Sequence, residues 1–111
     1  MRAFLLGLML TALLPAAKTL DVYFIDVEGG QATLIVSPSG QSMVVDTGWA
    51  GFNNRDADRI AAAAKLAGVK QVDYLVITHF HTDHVGAAGL LRQPDLRGWT
   101  VAAIYGQTPR L

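Results

Sequence analysis

The sequence predicts a mixed α/β (α+β) chain built around one sheet. Three observations support this fold class: short runs rich in β-branched and aromatic residues, glycine and proline turns between them, and one alanine-rich stretch at helical spacing. Hydrophobic residues make up 51% of the 111 residues, which is typical of a globular rather than a disordered protein. The length allows one domain at most.

The first predicted unit is a meander of three strands, at residues 20–27, 32–36 and 42–46. Gly29-Gly30 ends the first strand, and residues 37–40 have the Ser, Pro and Gly composition of a hairpin turn. Strands this close in the sequence should pair antiparallel.

A helix is predicted from Arg55 or Asp56 to Ala67, after a loop at residues 49–54. Acidic residues in its first turn suit the helix dipole, and Gly68 is a natural stop. Its apolar residues fall on one face and should pack against the sheet: Ile60, Ala63, Ala64 and Ala67. The basic residues of the helix and its flank, by contrast, predict a solvated face: Arg55, Arg59, Lys65 and Lys70.

Two further strands are predicted beyond the helix. Residues 72–78 are nearly continuously apolar, which is typical of an inner strand. Residues 93–98 have a surface-loop composition, and residues 101–105 predict the last strand.

Charge and cysteine content exclude some functions. Nine Lys plus Arg balance nine Asp plus Glu, so nucleic-acid binding has no electrostatic support. The sequence contains no cysteine, so a zinc ion would have to be held by histidine and carboxylate.

The amino terminus has the layout of a secretory signal. Arg2 precedes an uncharged apolar run at residues 3–14, and Pro15-Ala16-Ala17 follows. The run is shorter than the roughly 20 apolar residues that cross a bilayer, so we expect no permanent membrane anchor. We expect residues 1–17 to direct export to the periplasm or the medium, and residues 18–111 to belong to the domain. The alternative, a buried helix, lacks the polar face that it would need.

All three histidines of the chain lie within six residues, at His79, His81 and His84, with Asp83 among them. In an extended segment His79 and His81 point to the same side and can share one metal ion, while Phe80 points away. A turn into a helix at Thr82 or Asp83 would direct Asp83 and His84 to a second ion. A single histidine would most simply be a surface or loop residue. The spacing of these three histidines and Asp83 favours a two-metal site instead.

The segment HFHTDHVGAAG, from His79 onward, resembles the HxHxDH signature of metallo-beta-lactamase-fold hydrolases. Val45-Asp46-Thr47-Gly48 resembles the DTG strand end of the same family. The resemblance covers roughly residues 20–92 and implies the amino-terminal half of an αββα sandwich. Residues 24–32 are also similar to a competence-protein-like branch, although Gln31 stands where that branch has an aspartate.

The resemblance implies that His79 and His81 bind one zinc ion and that Asp83 and His84 bind a second. Asp83 would also be catalytic by orienting the nucleophilic water, and Asp46 would support the site. The implied activity is hydrolysis by a metal-bound hydroxide of an ester, lactone, amide or phosphodiester bond in a small-molecule or phosphodiester substrate.

Several alternatives stay open. The family completes its metal shells with later ligands, yet no histidine follows His84 and Asp95 is the one downstream acid. We therefore expect a truncated domain whose inner sheet face is exposed, and a chain that alone binds zinc weakly or is inactive. A non-hydrolytic member of the fold, such as an iron-dependent oxygenase or a metal-binding uptake component, is the other class. Trp49 and Phe52 could line a substrate pocket or serve packing.

Overall fold

The structure is a computed structural model that describes residues 18–91 and 101–106. These residues form one five-stranded sheet with the strands side by side in chain order, and the helices lie between the third and fourth and between the fourth and fifth strands in the sequence. The mixed α/β class is thereby confirmed. The predicted signal at residues 1–17 and the predicted loop at residues 93–98 lie outside the described residues. Among the helices that are described, none has the length and apolar character needed to span a membrane.

The predicted meander is present as three antiparallel strands, β1 (Asp21–Phe24), β2 (Thr33–Val36) and β3 (Ser42–Val45). In the register of β2 with β3, Leu34 lies opposite Val44. Strand β2 pairs antiparallel with β1 and with β3, which confirms the predicted turns between these strands.

The first strand is shorter than the sequence predicted. It was expected over residues 20–27 and ends at Phe24. Oδ1 of Asp26 accepts a hydrogen bond of 3.0 Å from the backbone N–H of Glu28, and both Glu28 and Gly29 have positive φ. An aspartate that bonds its own backbone two residues on favours a turn over a strand.

Helix α1 (Arg55–Leu66) confirms the predicted helix. It is preceded by a short 3-10 turn, Phe52–Asn54, in which all three residues have positive φ. Gly68, at φ +72°, follows the helix in the left-handed conformation that glycine adopts without strain.

The hydrophobic core lies between α1 and one face of the sheet. Ile60 and Ala64 of the helix and Leu34, Val44 and Leu75 of the sheet are all completely buried in one cluster. The opposite face of the sheet carries partly exposed apolar side chains around an open groove of about 490 Å³, among them Ile35, Met43, Tyr74 and Val76.

Strand β4 (Val72–Ile77) pairs parallel with β3 on one side and with β5 (Val101–Gly106) on the other, which confirms its prediction as an inner strand. Two short helices, α2 (Thr82–Val85) and α3 (Ala88–Leu91), follow it. Because β3 and β4 are parallel, their carboxyl ends meet at the same edge of the sheet, and the residues just beyond them become neighbours.

A polar clamp holds the other ends of β3 and β4 together. The backbone N–H of Ser42 donates to Oδ2 of Asp73 at 2.8 Å, and the Ser42 hydroxyl donates to the carbonyl of Gln71 at 2.7 Å. The side-chain amide of Gln71 also donates to Asp73, at 2.6 Å. Hydrogen bonds from Gln71 and then from Ser42 favour the ionised carboxylate and lower the pKa of Asp73.

Candidate metal centre

Asp46 occupies the junction between the carboxyl ends of β3 and β4. It is completely buried, and its φ of +58° is a conformation that aspartate tolerates better than most residues. Oδ1 accepts a hydrogen bond of 2.8 Å from the backbone N–H of Thr78, and Oδ2 accepts one of 2.6 Å from the Thr78 hydroxyl. The carboxylate is therefore fixed by the residue that directly follows β4.

His84 lies against the same carboxylate. Its Nδ1 is 2.7 Å from Oδ2 of Asp46. A carboxylate can only accept, so Nδ1 carries the proton and Nε2 presents its lone pair. This tautomer assignment follows from the partner, and it is the arrangement by which a carboxylate orients a metal-binding imidazole.

A carboxylate oxygen of Asp83 and a ring nitrogen of His84 lie close together. Oδ2 of Asp83 lies 3.5 Å from Nε2 of His84, and the two side chains are 26% and 21% exposed, so solvent ions can reach both. Two ligands of one tetrahedral zinc, each at 2.0–2.1 Å from the metal, lie about 3.4 Å apart. The separation of this pair fits zinc.

The other two histidines complete a cluster of three imidazoles. The rings of His79 and His81 are edge to face with centroids 4.5 Å apart, and the rings of His79 and His84 are 4.0 Å apart. The structure thus brings together the four side chains that the sequence predicted as metal ligands, with Asp46 beside them.

The cluster does not form a complete metal shell. Across residues 18–91 and 101–106, no three histidine or acidic side chains are placed so that they could hold one metal ion between them. A catalytic zinc ion ordinarily takes three protein ligands. The described side chains therefore provide fewer ligands for one ion than a catalytic zinc site needs. The chemical type of the donors fits zinc, and the ligand assignment stays a prediction.

Backbone hydrogen bonds hold the turn that carries Asp83 and His84. The N–H of Gln31 donates to the carbonyl of Asp83 at 3.1 Å. Thr47 donates twice to the carbonyl of His84, from its N–H at 2.6 Å and from its hydroxyl at 3.1 Å. The loop just before β2 and the loop just after β3 therefore position both residues. Thr47 was not predicted as an anchor, although it lies within the Val45-Asp46-Thr47-Gly48 motif that indicated Asp46.

Two glycines permit the close packing around this turn. A Cβ at Gly30 would lie 2.5 Å from the carbonyl oxygen of Asp83, and a Cβ at Gly86 would overlap the backbone of Trp49 and Ala50. Both positions require the absence of a side chain. The sequence predicted a turn at Gly29-Gly30 but no close contact for Gly30, and it predicted no role for Gly86, although Gly86 lies two residues after His84.

Trp49 and Phe52 occupy different environments. The Trp49 indole lies against Gly30, beside the turn that carries Asp83, and its backbone N–H donates to Oδ2 of the buried Asp56 at 2.7 Å. Phe52 is 63% exposed and stacks on the Arg55 guanidinium, 4.5 Å from the ring centre. Trp49 packs next to the candidate site, whereas Phe52 lies on the surface.

The prediction that the basic residues of α1 form a simple solvated face was wrong for two of them. Arg55 forms an ion pair with Glu28, and Arg59 reaches both carbonyl and carboxylate groups of the same turn, with its NH2 group 3.0 Å from Glu28. Arg55 also donates to Asp56 at 2.6 Å, and that hydrogen bond is the main reason that its pKa is raised. These pairs tie the turn after β1 to the helix, a contact between distant segments that spacing along the sequence does not reveal.

A family model described as the metallo-beta-lactamase superfamily matches residues 25–95, more than half of the chain. The matched range includes β2 to β4, α1 and every residue of the candidate centre. No curated protein matches the chain. By its matched sequence, the chain belongs to the metallo-beta-lactamase superfamily.

Proposed function

We propose that this chain supplies part of a zinc-dependent hydrolase site in which His79, His81, Asp83 and His84 are metal ligands. Members of the superfamily generally hydrolyse their substrates. The observation that carries the proposal is that His84 lies between two carboxylates, with Asp46 near one ring nitrogen and Asp83 near the other. One carboxylate orients the imidazole, and the free imidazole nitrogen lies 3.5 Å from the next carboxylate.

The donor types support zinc. Imidazole and carboxylate both bind zinc, and no thiolate is present to replace them. Zinc lowers the pKa of bound water from 15.7 to about 7 and polarises a carbonyl or phosphoryl oxygen, which is the chemistry that hydrolysis needs. The substrate class that follows is an ester, lactone, amide or phosphodiester.

Asp83 has the second role in the proposal. Its side chain is partly exposed, so a water molecule can reach its carboxylate, and the carboxylate can accept a hydrogen bond from that water. A nucleophilic water held in this way would be oriented towards the bond that is cleaved. Asp83 is therefore proposed as both ligand and catalytic residue.

Zinc binding to the full chain tests the ligand assignment. Equilibrium dialysis against zinc, with metal analysis, should show binding that His84→Ala or Asp83→Asn weakens at least about tenfold, because loss of a group that only orients a ligand already costs about 10- to 100-fold. Asp21→Asn is the matched control, since Asp21 lies on β1 and its carboxylate accepts an exposed hydrogen bond of 2.7 Å from the Thr19 hydroxyl. Equal zinc binding by the wild type and both site variants would contradict the proposal.

A hydrolysis assay then tests the activity. The chain, loaded with zinc, would be offered model esters, lactones, amides and phosphodiesters, with Asp83→Asn as the comparison. Turnover that depends on zinc and on Asp83 supports the proposal. Tight stoichiometric iron with no hydrolysis of any of these bonds would contradict it and would favour the iron-dependent oxygenase class.

A further inference from the structure

The Thr78 hydroxyl lies between Asp46 and the first histidine of the motif. Oγ1 of Thr78 donates to Oδ2 of Asp46 at 2.6 Å and lies 3.0 Å from Nδ1 of His79. Thr78 is the residue that directly follows β4, so the side chain sits where the strand delivers His79 to the candidate centre.

The hydrogen bonds at Thr78 determine which nitrogen of His79 carries the proton. A hydroxyl has one proton, and Thr78 gives it to Asp46, a group that can only accept while ionised. The hydroxyl oxygen then offers only lone pairs to His79. Nδ1 of His79 must therefore be the donor, and Nε2 is left with its lone pair directed away from Thr78.

We infer that Thr78 is a positioning residue that fixes His79 in the Nδ1–H tautomer. Asp46 thereby orients two imidazoles, His84 by direct contact and His79 through the Thr78 hydroxyl. Both rings then present Nε2, and their centroids are 4.0 Å apart. The relevance to metal binding rests on the proposed function, whereas the tautomer itself is a property of the metal-free protein.

Substitutions at Thr78 can distinguish the role of its hydroxyl from the role of its backbone N–H. The N–H of Thr78 donates to Oδ1 of Asp46, and Thr78→Val keeps that bond while it removes the hydroxyl. Thr78→Ser keeps both. A purely structural role for Thr78 at the strand end would be served by valine, which is also a favourable strand residue.

The test is imidazole ¹⁵N NMR of the metal-free full chain, recorded as a pH series and read where the ¹⁵N shifts themselves show neutral rings. The wild type and Thr78→Ser should show His79 with the proton on Nδ1. Thr78→Val should lose that preference at His79 and keep the Nδ1–H form at His84. The zinc dissociation constant of Thr78→Val should rise about 10- to 100-fold, and that of Thr78→Ser should stay close to wild type.

Three outcomes would overturn the inference: a proton on Nε2 of His79 in the wild type, an unchanged His79 tautomer in Thr78→Val, or a Thr78→Ser variant that behaves like Thr78→Val. The first can be read from the wild type even if the valine variant fails to fold, and circular dichroism identifies such a failure. If the wild type binds no zinc, the proposed function fails, and the tautomer measurements still decide the role of Thr78.

Discussion

Nδ1 of His84 lies 2.7 Å from Oδ2 of Asp46, although 38 residues separate the two in the sequence. The same carboxylate accepts two hydrogen bonds from Thr78. One buried group therefore joins the end of β3, the end of β4 and the short helix α2. Removal of its charge should affect both the stability of the fold and the arrangement of the histidines.

Asp46→Asn should lower the free energy of unfolding by about 1–3 kcal/mol, the usual cost of a buried polar group that loses its partner. The amide nitrogen cannot accept, so at least one of the three donors from Thr78 and His84 is left unpaired. Urea denaturation measures the change. The control, Asp21→Asn, alters an exposed hydrogen bond and should stay within about 0.5 kcal/mol of wild type. An equal loss in both variants would contradict the role of Asp46.

Gly86→Ala should destabilise the chain by about 3 kcal/mol or more, at or beyond the upper end of the range for overpacking. The added Cβ would overlap the backbone of Trp49 and Ala50, which cannot rotate away as a side chain can. Gly89→Ala is the control, because Gly89 lies in α3 with open space around its Cβ position. The control should be neutral or up to about 1 kcal/mol more stable, since alanine favours helix. Thermal unfolding of both variants measures the difference. Similar midpoint temperatures for Gly86→Ala and Gly89→Ala would contradict the prediction.

Leu34→Ala should lower the free energy of unfolding by about 2–5 kcal/mol, as expected for a large aliphatic side chain removed from a packed core. Leu34 is completely buried between the sheet and α1. Leu66→Ala changes the same atoms at a position that is 82% exposed, and it should cost at most about 0.5 kcal/mol. Chemical denaturation of both variants measures the difference, and a comparable loss would mean that Leu34 is not in the core.

Asp73 should make the fold sensitive to acid. Its folded pKa is lowered by hydrogen bonds from Gln71 and Ser42, so its contribution to stability is present above the unfolded pKa of about 3.9 and is lost as the pH falls through the lower folded value. Asp73→Asn does not titrate. Between pH 5 and pH 2, urea denaturation should therefore show a steeper loss of stability in the wild type than in the variant. Parallel losses would show that Asp73 does not contribute in this range.

Local sequence patterns were sufficient to predict most of the secondary structure. Runs rich in β-branched and aromatic residues between glycine and proline turns predicted β2 and β3, and a nearly continuous apolar run predicted β4. Helical spacing with Gly68 predicted α1. These patterns reflect interactions within a few residues. The clustering of His79, His81 and His84 identified the candidate centre for the same reason. Four of its five residues lie within one segment, so proximity in sequence already implied proximity in space.

Only the tertiary structure determined the contacts between segments that lie far apart in the sequence. Only the parallel pairing of β3 with β4 brings Asp46 against Thr78 and His84, and only the packed turn shows why Gly86 has no side chain. The ion pairs of Arg55 and Arg59 with the turn after β1 likewise depend on where the helix lies on the sheet. Hydrogen bonds and steric overlap act over a few ångströms, so they depend on which segments the fold places together, and composition and spacing along the chain do not specify that.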